Sequence, residues 1–199
     1  MSDRPRDPER PWYAYAERLL PAAAGRRWID LGCGRGEFLE RARAGFGLDR
    51  ERAHARAALT LGRPALVADL GRPLPFATGS LDGASLIEVI EHVFAAEALA
   101  AELFRVIRPG GWLLVSTPNT ARLRYRWRAL RGHPPKQEGR HSRFFTRRRL
   151  GTLLGSAGFR LRARASYARR LGALPALLEP LLARRFVWRL ERPPEAGGG

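Results

Sequence analysis

A short apolar run that ends in a carboxylate and passes straight into alternating glycines constrains this chain more than any other feature. In Trp28-Ile29-Asp30-Leu31-Gly32-Cys33-Gly34-Arg35-Gly36-Glu37-Phe38 the glycines stand at every second position, and residues 37–44 read as a helix. Strand, glycine loop and helix in that order leave backbone amides uncovered by β-carbons, so a flat polar ligand can lie against them. Asp49 closes the next apolar segment, Phe46-Gly47-Leu48, 19 positions after Asp30. A carboxylate at the end of a second strand is where open α/β sheets hold a ribose diol.

Downstream, strand-like and helix-like stretches alternate. Residues 27–31, 45–48, 65–68, 83–89 and 112–117 read as strands, and 12–20, 37–44, 51–60 and 95–107 as helices. Such alternation implies βαβ units with right-handed crossovers and a parallel sheet. Arg108-Pro109-Gly110-Gly111 is a turn signal before the strand Trp112-Leu113-Leu114-Val115-Ser116. The pattern changes after Asn119: residues 121–149 carry ten arginines and Lys136 against one acid, Glu138. They read as a helix at 121–130, a loop at 131–140, and a helix at 147–157 that Thr146 caps and Gly158 stops. Residues 159–166 and 185–191 are further strands, with helical spacing at 171–183 between them. Residues 1–10 and 193–199 read as a disordered lead and tail around one domain at 11–192, with a basic insert at about 120–145.

The 199 residues, 45% of them hydrophobic, suffice for one α/β domain with a substantial core. No apolar run approaches the roughly 20 residues of a membrane span, and the charged, proline-rich start lacks a signal-peptide pattern. Cys33 is the single cysteine, which excludes an internal disulfide and points to a reducing, cytoplasmic setting. The net charge of +17 suggests an anionic partner, nucleic acid among them. Yet all basic residues but Lys136 are arginine, in a chain crowded with Ala, Gly and Pro, so coding bias accounts for such a charge equally well.

Four acids fall at strand ends: Asp30, Asp49, Asp69 and Glu88. In a parallel sheet all four share the carboxyl edge, where ligands bind. With Val67-Ala68-Asp69-Leu70 and Leu103-Phe104-Arg105-Val106-Ile107-Arg108-Pro109-Gly110-Gly111, this set resembles the class I S-adenosylmethionine-dependent methyltransferases from about residue 28 to 159. The resemblance implies a Rossmann-like, doubly wound, seven-stranded sheet, mostly parallel with an antiparallel edge. It implies S-adenosylmethionine as cofactor, bound by Asp30, Gly32, Cys33, Gly34, Gly36, Asp49, Asp69, Leu70 and Glu88. Asp30 would orient the loop and the cofactor's ammonium group, Asp49 the ribose hydroxyls, and Asp69 and Leu70 the adenine. A nicotinamide enzyme fits less well, because its fingerprint spaces the last two glycines three apart and here they are two apart.

Glu88-Val89-Ile90-Glu91-His92 follows the fourth strand, and one helical turn there aims Glu88, Glu91 and His92 into one pocket. His141 arrives from Arg140-His141-Ser142-Arg143-Phe144-Phe145-Thr146. The segment resembles the ubiquinone-biosynthesis O-methyltransferases, and the quartet Glu88, Glu91, His92, His141 resembles the metal-binding set of small-RNA 2′-O-methyltransferases. The alternative is that Glu91 and His92 cap and orient the next helix. Ser116-Thr117-Pro118-Asn119 with the basic insert also resembles methyltransferase-domain proteins allied to the methionine-biosynthesis W type. The expected catalytic residues are Glu88, His92, Asn119 and His141, and no residue is assigned to a metal. The expected reaction is O-methylation of a small or lipid-like metabolite, and the basic insert suits an anionic one. RNA 2′-O-methylation through a metal quartet and a non-catalytic regulatory partner are the alternatives. His54 and His133 read as surface residues, and Cys33 as a small residue packed under the cofactor.

Overall fold

The computed structural model describes residues 10–22, 27–42, 45–133, 141–167 and 179–195. Strands β1 (Trp28–Leu31), β2 (Phe46–Asp49), β3 (Ala65–Val67), β4 (Leu81–Ile87), β5 (Ile107–Pro118), β6 (Arg160–Tyr167) and β7 (Arg185–Glu191) form one sheet. Its order is β3-β2-β1-β4-β5-β7-β6. The first five are parallel, and β7 runs antiparallel to both β5 and β6. The last two strands thus form the antiparallel edge pair, with the reversed strand next to last.

Helices α1 (Pro11–Leu19), α2 (Glu37–Ala42), α3 (Arg52–Thr60), α4 (Ala96–Val106), α5 (Leu123–Leu130), α6 (Arg147–Ser156) and α7 (Glu179–Leu182) accompany the sheet. Alternation along β5 shows that both faces are covered. Leu113 and Val115 join Leu99, Leu103, Leu150 and Leu154, whereas Trp112 and Leu114 join Tyr13, Ala16 and Phe38. Gly83 lies under the Trp112 indole, where any β-carbon would collide with the ring.

Two arginines tie loops to this frame. Arg105 donates to Glu102 and to the carbonyls of Leu74 and Phe76, which fixes the loop after β3. Arg192 donates to the carbonyls of Phe104 and Ile107, satisfying the end of α4.

Most predicted elements appear within a residue or two, and Thr146 caps α6 by accepting from the Arg149 amide. The Arg108–Gly111 segment is a correction, because it is strand rather than turn. Ile107 already pairs with Leu81, and Gly110 and Gly111 exchange bonds with Arg192 across a register shift between Leu81 and Gly83. Bonds to Arg192 on the β7 side hold the segment in the strand, while on the β4 side residues 108–111 lie opposite Asp82 alone and bulge, with Gly110 at φ +74°. The predicted lead (1–9), most of the helical stretch at 171–183, most of the loop at 131–140 and the last four residues lie outside the described residues. Among the described residues no helix is long and apolar enough to cross a membrane.

Strand order reverses between β1 and β4, so the loops leaving their carboxyl ends diverge and open a crevice. The acids predicted for the rim stand there.

Candidate functional site

The glycine loop is held from below. The amides of Gly32 and Cys33 both donate to the Leu48 carbonyl, at 2.7 and 3.1 Å. Gly32 has φ +69°, and a β-carbon on it would lie 2.6 Å from Val89. Gly34 has φ +54°, and a β-carbon there would meet nothing within 4 Å, so the loop presents an open face of bare backbone. Asp49 anchors that face: its carboxylate accepts from the amides of Gly34 and Glu51, both at 2.9 Å. His54 Nδ1 lies 3.3 Å from Asp49 Oδ1, which corrects its reading as a plain surface residue.

Asp30 is buried under the loop and accepts from Ser85 Oγ at 2.6 Å. Burial, reinforced by Asp49 and opposed by the Ser85 bond, pushes its carboxyl up to about 7. The native state therefore holds a proton between about pH 4 and 7 that an unfolded aspartate has released. Stability is highest below that window and falls as pH rises through it, by at most about 1.4 kcal/mol per pH unit. Asp30→Asn has no proton to lose, so its unfolding free energy should lack this decline. Equal pH slopes for the two proteins would rule out the buried proton.

Cys33 is buried, and its thiol is pushed up to about 12 by burial with the nearby Asp30 and Asp49 charges. It has no thiolate character and serves as packing against Gly47. Asp69 is exposed beyond β3, where its carboxylate accepts from the Gly71 amide at 2.9 Å, and Leu70 beside it is half-buried.

The second group stands where β4 and β5 end. Glu88 has φ +59°, the left-handed region that a glutamate seldom occupies. Its carboxylate accepts from Ser116 Oγ at 2.6 Å and from Arg185 Nε at 2.5 Å, and the Arg185 guanidinium stacks 3.6 Å from the Trp12 ring centre. The strained backbone thus turns Glu88 toward β5 and β7, and the next residues into the 3₁₀ turn Ile90–His92. That turn brings in Glu91, only 2% exposed. Glu91 Oε2 accepts from Thr117 Oγ1 at 3.0 Å, while Oε1 is buried and has no hydrogen-bond partner among the described residues. Burial, with Glu88 nearby, pushes the Glu91 carboxyl up to about 8.

The His92 and His141 rings meet edge to face with centres 4.7 Å apart. Ligand-type atoms of Glu91, His92 and His141 all lie within 4.8 Å of one another. Three of the predicted quartet therefore converge, and the Glu88 carboxylate is engaged by Arg185 and Ser116 instead. The amides of Ser142 and Arg143 donate to the Glu91 carbonyl, docking the His141 segment onto the turn. Asn119 is buried: its amide donates to the Ala183 carbonyl and accepts from the Ala121 amide, both at 3.0 Å, which fixes the exit of β5.

Sequence reasoning gave no individual role to Ser85, Ser116, Thr117 or Arg185. The first three had a signal, hydroxyls inside otherwise apolar strands, where a buried polar group needs a partner. Arg185 had none. A cavity of about 570 Å³ between α4 and α6, with Glu97, Arg148, Arg149 and Thr152 in its wall, touches the second group only through Arg143.

Comparison with known proteins gives the family. Residues 6–164 match the family model described as a methyltransferase domain. A probable S-adenosylmethionine-dependent methyltransferase of Mycolicibacterium smegmatis is 40% identical over 112 residues, covering 52% of this chain and 42% of that protein. The ubiquinone biosynthesis O-methyltransferase of Chromobacterium violaceum is 30% identical over 109 residues, 48% of this chain and 46% of that one. The chain thus matches less than half the length of either relative. A solved S-adenosylmethionine-dependent methyltransferase of Thermotoga maritima superposes with TM-score 0.73 at 22% identity, covering 90% of this chain and 86% of that one. The chain belongs to the methyltransferase-domain family, whose cofactor is S-adenosylmethionine.

Proposed function

We propose that this chain methylates an oxygen atom of a small or lipid-like hydroxyl compound. The residues suit the cofactor. The uncovered backbone at Gly34 offers a surface for its amino-acid and sugar portions, and Asp49 retains lone pairs for a ribose diol beside its two amide bonds. Asp30 can take up negative charge beneath the loop once an ammonium group approaches. Asp69 and Leu70 border the adenine end.

When bound, the cofactor supplies an electrophilic methyl group on a sulfonium whose thioether leaves without an acid. What the chain must add is alignment, exclusion of water and removal of one proton from the acceptor. The observation that carries the oxygen reading is the buried, unpartnered Oε1 of Glu91 beside His92 and His141. A neutral amine attacks with its own lone pair, whereas a hydroxyl becomes an adequate nucleophile only as its proton departs. The Glu91 carboxylate accepts that proton at Oε1, and the two imidazoles orient the hydroxyl. Glu88 and Asn119 act as positioning residues: Glu88 holds the turn through Arg185, and Asn119 holds the exit of β5.

The test is incubation of purified protein with methyl-labelled cofactor and fractionated aqueous and lipid extracts, followed by spectroscopic identification of the product. Label in a methyl ether or ester supports the proposal. Label on nitrogen or carbon overturns the oxygen assignment. Cofactor binding without any transfer overturns catalysis in favour of a regulatory partner. A parallel arm with a chelator, then with added magnesium or manganese, decides whether Glu91, His92 and His141 work around a divalent cation.

A further inference from the structure

Helix α5 carries its apolar residues on the wrong side for a soluble protein. Leu123, Trp127 and Leu130 stand at i, i+4 and i+7, so they form one narrow stripe. They are 53%, 55% and 80% exposed, and no residue of the helix is buried. Tyr125 and Arg128, roughly opposite that stripe on a 3.6-residue turn, are the half-buried positions that face the domain. Exposed arginines flank the stripe, Arg126 on one side with Arg124 and Arg131 on the other, and the Arg131 guanidinium lies 4.8 Å from the Trp127 ring centre. On the same rim Phe94, after the end of β4, is 83% exposed.

We propose that α5 docks this protein onto an anionic lipid surface, with Leu123, Trp127 and Leu130 inserted among the headgroups and the arginines on their phosphates. An outward apolar stripe between cationic edges is the arrangement that lies in a membrane interface. Tryptophan settles at headgroup level, and arginine keeps its charge in the aqueous layer while its stem follows apolar matter. Nucleic acid fits less well, because Leu123 and Leu130 gain nothing from phosphate and offer no flat ring for a base. A second copy fits less well still, since it would set arginine against arginine in a chain of net charge +17. The inference stands on the helix alone and holds whichever compound is methylated.

The experiment is co-flotation of the full chain with phosphatidylcholine vesicles and with vesicles of equal parts phosphatidylcholine and phosphatidylglycerol. The wild type should float with the mixed vesicles and not with the neutral ones. The double variant Trp127→Ala, Leu130→Ser should lose about tenfold or more in partitioning while keeping its melting temperature. Failure of the wild type to float, or flotation unaffected by the double variant, overturns the proposal. So does equal flotation with neutral vesicles. Displacement from the vesicles by RNA at concentrations where RNA alone binds the same stripe overturns it in favour of a nucleic-acid surface.

Discussion

Glu91→Gln is expected to lower methyl transfer about 100- to 10,000-fold, the usual contribution of one positioned proton acceptor. The amide keeps the size of the side chain and the bond from Thr117 Oγ1, so the turn and the neighbouring imidazoles should stay in place. What disappears is the only atom of that side chain with nothing else to bind, Oε1. The loss should fall on kcat, with cofactor affinity nearly unchanged. The pH profile separates chemistry from simple damage. With the carboxyl pushed up to about 8, its ionised form is the minor one at neutrality, so the wild-type rate should climb as pH rises through about 8 and then level. In the glutamine variant that climb should be absent. A profile that keeps its rise, or a rate within a few fold of the wild type, would remove Glu91 from the chemistry.

Asp49→Ala should weaken cofactor binding by about 1–3 kcal/mol, or about 5- to 150-fold in Kd. Two losses combine. The ribose diol would face a methyl group, and the amides of Gly34 and Glu51 would lose the carboxylate that holds the loop's shape. Titration calorimetry with the cofactor or its demethylated product reads the change directly. An unaltered affinity would show that the diol lies elsewhere. Asp49→Asn helps apportion the effect, since its carbonyl oxygen still accepts one of the two amide bonds.

The part of the molecule legible in advance is the part whose chemistry is local. A strand that stops at Asp30 and enters a glycine loop announces both the turn and the ligand face, because sterics at neighbouring residues suffice to require them. The same holds for Asp49 at the end of β2, and for Thr146 before an apolar helical period. The turn signal at Pro109-Gly110-Gly111 becomes a bulge inside β5, because the bonds that keep it in the sheet come from Arg192, about 80 residues away. Glu88 is a different case, because it pairs with Arg185. Its ion-pair partner is 97 positions away, and no window around it contains that information. His54 shows the reverse case: its neighbour Asp49 is close in sequence, yet only the turn of α3 reveals that the two approach. Glu91 carried its signal in plain view, as a carboxylate between Ile90 and His92, but which of two glutamates would be left with a free oxygen depended on where Arg185 came to rest.

That long-range pair sets an order on biogenesis. The nucleotide-binding half is encoded early and can assemble from successive neighbours as they leave the ribosome. The strand carrying Arg185 must instead slot between two strands already made, and loop closure of that span is slow. Until it arrives, Glu88 has no counter-charge to hold its unusual backbone. The ion pair behind the Glu88 turn is therefore completed only once the last strand of the sheet is in place.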